Sequence, residues 1–177
     1  MFSNLKALAI PEGDVKKIEC NGSVLWEFVE VETYKNWARH SINADGSIYN
    51  NGQGYKVGYR VRSGGAEGQE STTVCTGFIP LKRGQTLRIY PAFTGGNTDN
   101  TINFSDASFT NLGQVTDVGS YYGICNSSYK TSVINGVSTL TLGNNHNSNI
   151  AYVRVGHNTS ATSNGADLII TVDEEIS

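Results

Sequence analysis

Thr86-Leu87-Arg88-Ile89-Tyr90-Pro91-Ala92-Phe93 alternates: in an extended chain Leu87 and Ile89 fall on one side, Arg88 and Tyr90 on the other. Successive side chains of a strand point to opposite faces, so this is a pleated segment with one dry face and one wet face. Pro91 cannot donate to a ladder and marks a strand end or a sheet edge. Just upstream, Leu81-Lys82-Arg83-Gly84 reads as a turn, and residues 74–80 as the strand that runs into it.

The same pattern recurs along the chain. Tyr55, Val57, Tyr59 and Val61 alternate with Lys56, Gly58, Arg60 and Arg62, which predicts a strand with an apolar face. Residues 121–129, 137–142, 149–156 and 166–172 read as further strands. In the last of these Ala166, Leu168, Ile170 and Val172 share a face against Asp167, Thr171 and Asp173. Turn chemistry separates them: Gly64-Gly65, Gly95-Gly96-Asn97, Asn135-Gly136, Gly143-Asn144-Asn145 and Asn164-Gly165. No segment of ten residues carries a helical period. Evenly spaced short strands with Gly/Asn turns predict an all-β chain, a sandwich or a barrel.

Ahead of this region, residues 15–20 and 23–29 flank Asn21-Gly22, the strongest two-residue hairpin signal, since both turn positions need positive φ. Counting outward pairs Cys20 with Ser23, Ile18 with Leu25 and Lys16 with Glu27 on one face. Glu19 with Val24, Lys17 with Trp26 and Val15 with Phe28 fall on the other. Both faces are partly apolar, and a lone two-stranded hairpin is marginal in water. The hairpin, residues 1–31, is therefore expected as an appendage that docks on something else, with the sandwich over residues 32–177. Residues 30–51 have weak periodicity and read as a linker and entry strand.

Composition narrows the function classes. Only 16% of the 177 residues are charged, below the usual quarter or so, and Asn, Ser, Thr and Gly carry the polarity. The net charge is −3 with no basic cluster, which argues against nucleic-acid binding. No run of about 18 apolar residues is present, so no membrane span is expected. Residues 1–10 lead straight into Pro11-Glu12-Gly13-Asp14 without a small-residue cleavage site, and no secretory signal is read. Cys20, Cys75 and Cys125 are widely spaced and odd in number, the pattern of reduced, buried thiols rather than a disulfide framework.

Two stretches carry a family resemblance. Ile10-Pro11-Glu12-Gly13-Asp14-Val15, continuing through Ile18, Asn21-Gly22 and Val24-Leu25-Trp26, resembles a hairpin of tail and minor structural proteins of Firmicutes phages and prophages. Asn36-Trp37, Asp45-Gly46-Ser47-Ile48-Tyr49-Asn50, Gly54-Tyr55, residues 76–88 and residues 166–174 resemble the jelly-roll module of the same tail-fibre and baseplate-associated proteins, a fold similar to carbohydrate-binding sandwiches. The resemblance spans nearly the whole chain. It implies a jelly-roll-like β-sandwich on a virion tail, assembled in the bacterial cytoplasm, with other tail proteins as partners, a trimer as the oligomer, and a role directed at surface carbohydrate. It carries over no catalytic residue.

Sugar binding needs flat aromatic faces with polar side chains nearby. Among the chain's aromatics, Trp37, Tyr49 and Tyr121 are the candidate ligand platform, whereas Trp26 reads as a packing anchor. Other chemistries find less support. His40, Ser41 and Asp45 lie close in sequence, but no Gly-x-Ser-x-Gly elbow exists. Glu67, Glu70, Asp99, Asp106 and Asp117 read as solvated loop acids, with Glu67 and Glu70 at a flexible tip. His146 and His157 stand apart. Residues 43–47 fail as a calcium loop because Ser41 and Gly52 occupy the first and closing ligand positions. No metal and no cofactor are expected. The expected function is that of a non-enzymatic tail or adhesion protein. The alternatives are a stand-alone carbohydrate-binding module and, with neither acid pair nor nucleophile motif to support it, a glycan-cleaving enzyme.

Overall fold

The computed structural model describes residues 35–93 and 99–173, together with the backbone of two strands ahead of them. The chain divides into two units, residues 1–34 and 35–177. Strands take up 45% of the described residues and helix 8%, so the class is all-β. No described helix is long and apolar enough to cross a membrane.

The first unit holds β1 (Lys17–Cys20) and β2 (Ser23–Glu27), paired antiparallel. Cys20 faces Ser23 and Glu19 faces Val24, as a two-residue connection requires. Further out the register departs from the simple count: Ile18 pairs with Trp26 and Lys17 with Glu27. Leu25 is the extra residue of a bulge, and a one-residue slip moves the outer part of a strand to the opposite face. The expected pairs of residues 15, 16 and 28 lie outside the described residues.

The second unit is a sandwich of two antiparallel sheets. The larger runs in the order β3 (Tyr55–Val61), β4 (Glu67–Thr76), β12 (Tyr152–Asn158), β7 (Thr101–Ser105), β8 (Asn111–Thr116) and β9 (Tyr121–Gly123), with β5 (Ile79–Pro80) also paired to β12. The smaller runs β10 (Ser132–Ile134), β11 (Val137–Thr141), β6 (Thr86–Tyr90) and β13 (Ile169–Val172). The core lies between them. Leu87, Ile89, Leu140 and Ile170 of the small sheet meet Ile102, Phe104, Val153 and Val155 of the large one, all buried. Each such side chain contributes about 1.5–3 kcal/mol on leaving water. Leu87 and Ile89 point inward and Tyr90 outward, and β6 ends just before Pro91, as the alternation predicts.

Three expectations are corrected. The described part of residues 30–51 is not the expected linker and entry strand. From Asn36 onward it carries one helical turn, α1 (Trp37–His40), and a tight turn over Tyr49–Gly52 in which Asn50 and Asn51 take positive φ, and Ile42 makes bridges to Ile48 and Phe78. Asn36 fastens this segment to the small sheet: its Oδ1 accepts from the amides of Ala38 and Ile170, and its Nδ2 donates to the Leu168 carbonyl. The alternation of residues 55–61 does not yield one apolar face either. Gly58, at φ 77°, sits at a register break, so Val57 is exposed while Val61 is buried. Finally, residues 67–73 are not a free tip but the first part of β4.

Candidate functional site

The outer face of the large sheet carries the candidate site, and its rows follow from register. Arg154 of β12, Asn103 of β7, Gln114 of β8 and Tyr122 of β9 are directly opposed in succession, so their side chains share the face away from the core. The next row holds Gly156, Thr101 and Thr116.

The β3–β4 hairpin arches over part of this face. Val57 pairs with Val74, but the next pair is Tyr59 with Gln69, which leaves four residues of β4 bulged against Gly58. Such a bulge bends the ribbon. Three side-chain amides then hold three successive carbonyls of the hairpin end: Gln114 donates to Val61 at 3.0 Å, Asn103 to Arg62 at 3.0 Å and Asn111 to Ser63 at 2.8 Å. Gln114 also donates to Asn103 Oδ1 at 3.2 Å, which orients both amides. Gly65, at φ 86°, turns the hairpin tip, and a Cβ there would lie 2.7 Å from that of Asn111.

Beneath the arch, Arg154 donates to the Thr76 carbonyl at 3.0 Å and to Glu67 at 2.6 Å, and its guanidinium lies against Tyr49 and Phe78. Lys56 bonds the second Glu67 oxygen at 3.2 Å. Burial pushes the Glu67 carboxyl up, but the hydrogen bonds from Arg154 and Tyr49, the Arg154 charge and the Lys56 bond outweigh it, so the net shift is downward. Cys75 lies 3.7 Å from the Tyr49 hydroxyl, and burial pushes its thiol up to about 11. A thiol held neutral in this way is a poor nucleophile.

Where the arch stops, a groove of about 330 Å³ remains open. Arg60, Val61, Arg62 and Ser63 form its wall. Thr101, Gln114, Thr116, Ser120 and Tyr122 form its floor. Tyr122 is 46% exposed, which gives the floor an aromatic face at its rim. Thr116 accepts the Ser120 amide at 3.0 Å and so fixes the turn at the groove's end.

The three sequence-predicted platform residues are not brought together here. Tyr49 is 7% exposed and covered by the Arg154 guanidinium, so it is no platform. Trp37 is half-buried against the core with Lys35 Nζ 3.8 Å over its ring. Tyr121 faces Val115 across the ladder and packs on the core. Its neighbour Tyr122, one position along a strand whose side chains alternate, is the residue that turns outward.

The remaining candidates are engaged separately. His40 Nδ1 donates to the Asn36 carbonyl, Ser41 Oγ donates to the Gly54 carbonyl and accepts from the Gly77 amide, and Asp45 accepts from Ser47. Asp106 caps its own turn through the amides of Ser108 and Thr110, and Asp99 accepts from Thr72. Glu67 is an exposed residue, as expected of a loop acid, but its carboxylate is paired with buried Arg154 and with Lys56 rather than left to solvent alone. His146, buried beside Tyr129, accepts the Gly143 amide on Nδ1 and donates from Nε2 to the Ser128 carbonyl. His157 donates to the Pro91 carbonyl. Cys75 and Cys125 are buried free thiols, and Cys20 lies outside the residues whose side chains are described. Among the described residues no cluster of three or more His, Cys, Asp or Glu side chains could hold a metal ion. No family model, curated protein or solved structure matches the chain.

Proposed function

We propose that this chain is a non-enzymatic adhesion module that holds a glycan in the groove of its large sheet. The observation that carries the reading is the groove itself. An exposed tyrosine ring and a floor of hydroxyl and amide groups lie side by side on a rigid sheet, the mixture that stacks on sugar C–H surfaces and bonds sugar hydroxyls. The resemblance of residues 10–27 and 166–174 to phage tail proteins supports a place on a virion tail, as a trimer beside other tail proteins and directed at bacterial surface carbohydrate. The separate engagement of His40, Ser41 and Asp45 favours binding over turnover.

A glycan array probed with the wild type and with Tyr122→Ala tests this reading. Binding by the wild type that Tyr122→Ala abolishes supports it. Binding lost instead in Trp37→Ala or Tyr121→Ala, with Tyr122→Ala unaffected, contradicts it, and so does the absence of any glycan signal. The tail assignment has its own test. A chain lacking residues 1–31 is expected to stay folded and to lose self-association or binding to tail proteins, and an unchanged solution mass contradicts an assembly role.

A further inference from the structure

We infer that the groove selects an anionic glycan or polyol, whose carboxylate or phosphate is held by Arg60 and Arg62. This inference rests on the groove being the binding site. It adds the charge class of the ligand.

The arginines carry the argument. The chain has six, at 39, 60, 62, 83, 88 and 154. Four are engaged within the fold: Arg39 with the carbonyls of Gly165 and Ala166, Arg83 with that of His146, Arg88 with Asp173, and Arg154 with Glu67 and Thr76. Arg60 and Arg62 form neither an ion pair nor a side-chain hydrogen bond with any described residue, and both line the groove. Among the described residues no carboxylate lines it with them. In a chain of net charge −3, two guanidiniums on one wall with neither a partner nor an opposing acid among the described residues are a local reversal of sign.

Guanidinium groups match carboxylate and phosphate through paired N–H donors, which point charges do not. The wall is held in position, because Val61, Arg62 and Ser63 are pinned by Gln114, Asn103 and Asn111. Further unpartnered groups lie at the same place. Thr101 is 2% exposed, lines the floor, and has no partner for Oγ1, and Arg60 Nε is buried without one. The groove volume, about 330 Å³, lies at the low end for ligand sites, where a short charged segment rather than a long chain is enclosed.

Calorimetric titration of the full chain with three probes tests the inference. The probes are a hyaluronan tetrasaccharide carrying carboxylates, a glycerol-phosphate oligomer carrying phosphates, and neutral maltotetraose. One charged probe is expected to bind about tenfold or more tighter than maltotetraose, with affinity falling as sodium chloride is raised. Arg60→Gln and Arg62→Gln are each expected to lose about tenfold for that probe while unfolding at the wild-type temperature. Preference for the carboxylate or for the phosphate assigns the source of the charge. Equal affinity for neutral and charged probes, or unchanged affinity in both variants, overturns the inference and leaves the groove standing as a neutral-sugar site. If no probe binds, the inference also fails, and the Tyr122→Ala array result decides separately whether the groove is a site. Competition by a short single-stranded DNA would reassign the arginines to a nucleic-acid backbone and overturn it.

Discussion

The Gln114 side-chain amide donates to the main-chain carbonyl of Val61 across 53 residues of sequence, and with this bond the sheet floor positions its own wall. Gln114 is buried, so its removal leaves the carbonyl of Val61 and the Oδ1 of Asn103 without that donor. Gln114→Ala is expected to destabilise the fold by about 1–3 kcal/mol in chemical denaturation. It should also speed hydrogen exchange at the amides of Arg62 and Gly65, which are bonded within the hairpin end. Unchanged exchange at those two amides would show that the hairpin holds its arch without the sheet.

Tyr121 and Tyr122 should separate stability from binding. Tyr121 packs on the core, so Tyr121→Ala is expected to lower stability by about 1–3 kcal/mol. Tyr122 is exposed at the groove, so Tyr122→Ala is expected to change stability by less than about 0.5 kcal/mol while removing glycan binding. Thermal unfolding and array binding of the two variants check the pair, and the opposite allocation would refute the assignment of faces.

Glu67 predicts an acid limb to stability. Its carboxyl titrates below the ordinary 4.5 in the fold, so the folded state favours the ionised form. The stabilisation is therefore fully present above about pH 4.5 and is lost as pH falls through the folded value. Glu67→Gln is expected to flatten that limb. It should also cost about 1–3 kcal/mol at neutral pH, because the largely buried Arg154 loses its carboxylate. Denaturation midpoints measured from pH 7 down to about pH 3 check both effects.

His157 acts at a higher pH. Burial lowers its pKa below the ordinary 6.5, against the opposing pull of its bond to the Pro91 carbonyl. The neutral ring is thus favoured in the fold, and stability is full above about pH 6.5 and declines as pH falls below it. His157→Gln keeps an amide donor for Pro91 and removes the titration, so its stability should lack this decline. A wild-type stability that is flat between pH 7 and pH 5 would contradict the placement of the ring.

Much of the sandwich was legible because its core strands alternate: Leu87 and Ile89, or Leu168 and Ile170, announce their faces in the sequence. The site was not. Strands β7 and β8 read Thr-Ile-Asn-Phe-Ser and Asn-Leu-Gly-Gln-Val-Thr, and their polar members Asn103, Asn111 and Gln114 look like loop residues until the hairpin carbonyls that they bind are in view. Those partners lie 41 to 53 residues away, a distance that no local pattern reports. The exposed ring at the groove escapes the sequence for a smaller reason. Tyr121 and Tyr122 are adjacent, and only the register with Val115 and Gln114 says which of them faces out. The burial of Tyr49 is not legible locally, because nothing near it in sequence signals Arg154, 105 residues on, whose guanidinium covers its ring.

A groove between the β3–β4 hairpin and strands β7 to β9 that holds a glycan without cleaving it has a direct spectroscopic signature. Amide chemical-shift mapping of the wild-type protein, titrated with the strongest ligand from the array, tests it most directly. Saturable shifts are expected at Arg62, Ser63, Thr101, Thr116, Ser120 and Tyr122, with the ligand's own signals unaltered after prolonged incubation. Shifts centred on Trp37 or on the smaller sheet, or the appearance of cleaved sugar, would contradict it.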